Sequence, residues 1–262
     1  MSDETIITPP TDDTYPLVST LFVKKRFKKF DILVNGLSLT ILDLINQGQI
    51  KCEINWEKSH IIGKELTPTD LDVMKNITLR IINKGELKTS ESLAIKLLKT
   101  MTKNKKFTLK DMLKQGKSST IANKFENDFI EFRTALENEN NYTPKEYKDI
   151  LANGKLTKRG KELQKDWTNF EKYLKSPELT EKYPPKSIEE NTSQIIYGAC
   201  FNIEREVLEL RENNSILCDL IDKDGYKLLN IIFNNTLSNV SEKRRGNGVF
   251  YGVNDKYTIP GA

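Results

Sequence analysis

Three short stretches of this chain carry residue types that could do chemistry. Gly116-Lys117-Ser118 has the ending of a phosphate loop, in which backbone amides cradle phosphates and a lysine reaches the outer ones. The complete pattern needs a glycine five residues before Gly116, where Asp111 stands, and a strand where the preceding residues read as helix. The expectation is a linker whose serines cap the next helix. Asp222-Lys223-Asp224-Gly225 opens like a calcium loop, but such a loop wants glycine sixth and glutamate twelfth. Here glycine comes fourth and Phe233 is twelfth, so a turn between helices is expected. His60 is the single histidine, which leaves no histidine-based triad or metal cluster to build.

The remaining candidates read as structure. Cys52, Cys200 and Cys218 are far apart without paired spacing, which fits a reducing compartment rather than a disulfide frame or zinc cage. Cys200 sits on an apolar helix face and behaves as a small core residue. Glu189 and Glu190 are helix-start charges that suit the dipole. Trp167, Phe170 and Tyr173 could stack on bases, but with Leu163 and Leu174 at helical spacing they read as core. These readings predict no catalytic residue, no metal, no cofactor and no small-molecule substrate.

The stretch VKKRFKKF (23–30) is different: five of its eight residues are cations. Lys24, Lys25, Arg26, Lys28 and Lys29 are the candidate contact to an anionic surface. Net charge over the 262 residues is only +4, weak for a dedicated nucleic-acid binder. No apolar run approaches the roughly 18 residues of a spanning helix, and the first 15 residues are not a signal peptide. Any membrane link is therefore expected to lie outside this chain.

The elements that must position these residues are mostly helical: apolar residues are 37% and charged residues 30% of the chain. Residues 1–15 read as a linker. From Pro16 to residue 66 the expected order is helices, then a hairpin from IKCEINW through EKSH to IIGKEL, a winged-helix-like module in which Gly36 is a candidate point to split one helix in two. A second such module is expected over 67–155. There Leu71, Met74, Ile77, Ile81 and Ile82 form a helical stripe, and Ile121, Phe125, Phe129, Phe132 and Leu136 another. NYTPKEYKDILANG could hold a minimal wing. A helical bundle over 156–241 follows, with a capping box at Ser187 and Glu190. Residues 242–262 read as a flexible tail. The fold class is thus mainly α with small β-hairpins.

Three stretches resemble the cytoplasmic C-terminal part of the YciQ-like family of predicted membrane proteins of unknown function. The first is Pro9, Pro10 and Pro16 followed by Thr40, Leu42, Leu44 and Gly48. LTPTDLDVM is similar to that family's next helix start. LTKRGKELQKDWTNFEKYL is the most specific, through Thr157, Gly160, Trp167, Phe170, Tyr173 and Leu174, continued by Pro184, Pro185 and Tyr197. The chain departs from the family at Asn191, where a Trp is usual. The resemblance implies winged-helix-like modules at the cytoplasmic face of a membrane, and no known chemistry.

Taken together, the expected function is a non-enzymatic protein-interaction or scaffolding module with an unidentified protein partner and an anionic membrane surface nearby. The alternative is a nucleic-acid-binding winged-helix protein, with KKRFKK and KLTKRGKELQK on phosphates. It ranks second because two helices look unfit to read a groove. LSLTILDLINQG turns Ser38, Thr40, Asp43, Asn46 and Gln47 outward with no cation. The helix from 119 sets Lys124 and Arg133 against Glu126, Asp128, Glu131, Glu137 and Glu139.

Overall fold

A computed structural model describes residues 7–11, 14–22, 29–55, 71–82, 85–102, 104–139, 151–152, 155–211, 216–222 and 225–245. The fold is mainly α with a small antiparallel sheet and one further hairpin. The middle of the molecule is one helix. α1 (Tyr15–Leu21) opens on Pro16, whose fixed φ suits the first turn, and packs on α2 (Lys29–Asn46). Gly36 does not split α2, as the sequence had suggested. The helix runs through it unbroken, and a Cβ there would sit 3.0 Å from Pro16 Cβ. Gly48, with φ +70°, turns the chain out of α2.

α2 is apolar nearly all round. Val34, Leu37, Leu39, Ile41, Leu42, Leu44 and Ile45 are buried, and so are Ser38 and Thr40. Such a helix belongs in the interior. The expectation that Ser38 and Thr40 face outward is therefore corrected. Thr40 Oγ1 donates to Gly36 O (2.9 Å), and Ser38 Oγ donates to Asn230 Oδ1 (2.6 Å). Short hydroxyls can be buried when a local carbonyl or a partner side chain accepts from them.

The sheet has the order β1 (Ile50–Ile54), β2 (Ile77–Ile81), β3 (Lys106–Thr108), all antiparallel. β2 corrects the second expectation. The stripe at 71–82 is not one helix: α3 (Leu71–Asn76) runs directly into β2. Ile77 and Ile81 are four apart, which fits a helix face and, equally, alternate positions on a strand. Leu79 decides it, because Ile77, Leu79 and Ile81 are buried while Arg80 is exposed, a period of two. β1 therefore pairs with β2 (Ile50 opposite Ile81, Ile54 opposite Ile77). The expected return strand IIGKEL lies outside the described residues, as do His60 and Trp56.

After α4 (Thr89–Thr100) and β3, α5 (Leu109–Gly116) and the long α6 (Ser119–Glu139) follow. The stretch expected to hold a minimal wing contributes β4 (Leu151–Ala152), which pairs with β5 (Lys155–Leu156). Asn153-Gly154 between them is the residue pair favoured in two-residue hairpin loops. The last third is α7 (Lys158–Lys175), α8 (Pro177–Lys182), α9 (Ile188–Phe201), α10 (Glu204–Glu209), α11 (Ile216–Asp222) and α12 (Gly225–Arg245). The backbone of α12 is helical through Arg245, past the expected end near 241.

Contacts cross the expected boundaries. β1 and β2 belong to different expected modules yet share the sheet, and α12 packs on α2, α5 and α6. Buried apolar residues from α1 to α12 form one cluster. At its C-terminal end, Trp167 and Phe170 of α7 meet Tyr197 and Phe201 of α9, with ring centroids 5.2 to 6.4 Å apart.

Candidate functional site

Of the candidate anion-contact residues, Lys24, Lys25, Arg26 and Lys28 lie outside the described residues, and Lys29 is the first residue of α2. The run thus leads into the N-terminal end of an 18-residue helix, where peptide dipoles make the potential positive. In the other basic stretch, Lys158, Lys161 and Lys165 are exposed on α7.

The stretches that resembled reactive motifs are absorbed by the fold. Gly116 ends α5, and a Cβ placed on it would lie 2.2 Å from Thr236 Oγ1 of α12. The glycine lets two helices touch. Asp111, which breaks the phosphate-loop pattern, closes a capping box. Thr108 N donates to its Oδ2 (2.9 Å), and Asp111 N donates to Thr108 Oγ1 (3.1 Å). Asp222 ends α11 and Gly225 begins α12, so DKDG lies between helices. Burial pushes the Cys200 thiol well above its ordinary range, and its Sγ lies 3.4 Å from Tyr15 O. Such a thiol stays protonated and unreactive. Ser187 caps α9 by accepting from Glu190 N (3.1 Å), while the Glu190 carboxylate reaches one residue further back, to Lys186 N (2.7 Å).

Four polar clusters escaped the sequence. Each joins residues distant in the chain. Asn35 Nδ2 donates to Ser19 Oγ (2.8 Å), Asn230 Nδ2 donates to Asn35 Oδ1 (3.1 Å), and Ser38 donates to Asn230, which links α1, α2 and α12. Arg211, buried two residues after α10, donates to Gln194 Oε1 of α9. Tyr173 OH of α7 donates to Tyr183 O (2.7 Å) beside it. Burial holds the Arg211 guanidinium below its usual range. Asp128 of α6 is buried, accepts from Thr100 Oγ1 (2.6 Å) and pairs with Lys96 Nζ (2.9 Å), which also pairs with Glu131 (2.7 Å).

The fourth cluster is acidic. Gln47 Nε2 donates to Asp43 Oδ2 (3.1 Å) and to Glu91 Oε1 (3.0 Å), while Lys88 N donates to Glu91 Oε2 (2.8 Å). Burial, then the charge of Glu91, pushes Asp43 up to about 6, against the pull of Lys88 and the Gln47 bond. Only the period of α2 could have hinted at it, through Asp43 and Gln47 one turn apart.

The two grounds for ranking nucleic acid second also change. α2 cannot enter a groove because it is interior. On α6, two of the five acids that made that face look repulsive are compensated: Asp128 is buried and paired with Lys96, and Glu131 is paired with the same lysine.

Among the described residues no helix is long and apolar enough to cross a membrane, and no group of three or more His, Cys, Asp or Glu is placed to hold a metal ion. No protein-family model, curated protein or solved structure matches the chain.

Proposed function

We propose that the chain is a non-enzymatic interaction or scaffolding module that rests on an anionic membrane surface through Lys24, Lys25, Arg26, Lys28 and Lys29. The observation that supports it most is where α2 starts. In the sequence the five cations run straight into the end of the helix that prefers anions, with Lys29 as its first residue. Cations there weaken a helix, each by about 0.3–1 kcal/mol when exposed at low salt. An anionic leaflet reverses the sign, because each cation held near it gains about 1 kcal/mol. The run is unfavourable for the free fold and favourable for the docked one. The resemblance to the cytoplasmic part of a membrane protein family points to the same surface and to the cytoplasmic side.

The test replaces all five cations by Gln and compares flotation with phosphatidylserine vesicles and with phosphatidylcholine vesicles. The parent floats with the anionic vesicles alone, and the variant stays at the bottom while keeping its helical circular dichroism. Equal flotation of parent and variant rules the proposal out.

A further inference from the structure

The helix-turn-helix made by α5 and α6 presents a basic surface that the fold does not use. α5 ends at Gly116, Lys117 and Ser118 form the turn, and α6 begins at Ser119. Leu109 and Met112 on α5, and Ala122, Phe125, Phe129 and Phe132 on α6, face inward. On the outer side α5 and the turn carry Lys110, Lys114 and Lys117, at i, i+4 and i+7. The outer side of α6 carries Thr120, Asn123, Lys124 and Asn127, all exposed.

The side chains of the four lysines make no ion pair or hydrogen bond with any described residue. Lys96 and Lys106, on neighbouring elements, are both paired, with Asp128 and Glu131 and with Glu53. Three acids are close in sequence: Asp111 is engaged by its capping box and Asp128 by Thr100 and Lys96, and Glu126, half-buried beside Asn127, also has a partner. α6 has no acid in its first turn, where one would favour the helix. Asn is a poor helix former, so a pair of them one turn apart on a solvent face does nothing for α6 itself.

We infer that this surface binds duplex DNA. Lys110, Lys114, Lys117 and Lys124 contact phosphates, and Asn123 and Asn127 meet base edges in the major groove. An Asn amide donates and accepts at once, as the N6 and N7 edge of adenine requires. Double-stranded RNA is a poor fit, because its major groove is too narrow for a helix. A membrane surface would gain from the lysines but not from the amides. The chain order supports the same geometry. Among the described elements, α4, β3, α5, α6 and the β4–β5 hairpin come in the order of a winged helix, with β3 paired to β2 and the hairpin forming its own two-stranded sheet. The surface is separate from Lys24–Lys29 and goes beyond the membrane contact proposed above.

The experiment measures fluorescence anisotropy of a labelled DNA duplex of about two helical turns with the full chain, against salt. Four phosphate contacts give a log–log slope of about −3.6, roughly a hundredfold loss of affinity between about 50 and 200 mM salt. Lys114→Gln/Lys117→Gln/Lys124→Gln should flatten the slope to about −1. Asn123→Ala/Asn127→Ala should leave the slope unchanged and remove any preference for A·T-rich over G·C-rich duplexes. Replacing Lys24–Lys29 by Gln should leave the slope unchanged. No saturable duplex binding by the parent at low salt overturns the inference. So does a slope carried by Lys24–Lys29 instead, or a triple variant that loses flotation with phosphatidylserine vesicles and keeps the parent's duplex slope.

Discussion

Asp43 and Glu91, forty-eight residues apart in the chain, share one amide: Gln47 Nε2 reaches the first at 3.1 Å and the second at 3.0 Å. Two carboxylates held that way repel, and Asp43, desolvated by burial, takes up its proton at about 6 rather than in the ordinary range near 4. In the folded state it therefore binds a proton more tightly than in the unfolded chain. Its favourable contribution is fully present below about pH 4 and is lost as pH rises through about 6. Asp43→Asn removes that loss. Urea unfolding should find the variant about 3 kcal/mol more stable than the parent at neutral pH and equal to it near pH 3.5. A variant less stable at neutral pH would mean that Asp43 is an attractive partner there.

The contact of Gly116 with Thr236 gives a second outcome. Gly116→Ala forces the new methyl against Thr236 Oγ1, which donates to Ile232 O (2.8 Å) and is fixed. Destabilisation of about 1–3 kcal/mol is expected. Thr236→Ala in the same chain removes the clashing oxygen, so the double variant should cost less than the sum of the singles. Strict additivity in chemical denaturation would show that the helices move apart freely.

Asn230 tests the buried ladder. Asn230→Ala leaves the fully buried Ser38 hydroxyl without its acceptor, at a cost of about 1–3 kcal/mol. Ser38→Ala/Asn230→Ala removes donor and acceptor together and should recover part of that loss. A double variant worse than both singles combined would contradict the pairing.

Trp167 is fully buried among Phe170, Tyr197 and Phe201. Trp167→Ala should cost about 3–5 kcal/mol in equilibrium unfolding. A cost of a few tenths would mean the side chain faces solvent.

How much of this was legible differs by element, for physical reasons. The stripe of Trp167, Phe170 and Leu174 announced α7, because a helix with one wet face writes its period into the sequence. α2 was legible as a helix, but its faces were not. Ser38 and Thr40 look like surface residues until Asn230 and the Gly36 carbonyl are seen to accept from them. Ile77 and Ile81 fit both periods, so the helical reading of β2 fails only at Leu79 and Arg80, buried and exposed in turn on a strand paired with β1. The compensation of Asp128 by Thr100 and Lys96 is a tertiary fact, so the outer face of α6 looked more acidic than it is. The run Lys24–Lys29 was plain from composition. Its position ahead of the positive end of α2 needed the helix start.

The most direct test of the membrane contact is the partition constant of the intact chain onto vesicles, measured at low salt against increasing phosphatidylserine. With about 1 kcal/mol per cation, replacing Lys24, Lys25, Arg26, Lys28 and Lys29 by Gln should weaken partitioning by roughly several thousandfold at high phosphatidylserine and leave it unchanged on neutral vesicles. A parent that partitions equally onto neutral and anionic vesicles, or a variant that partitions like the parent, would contradict the account.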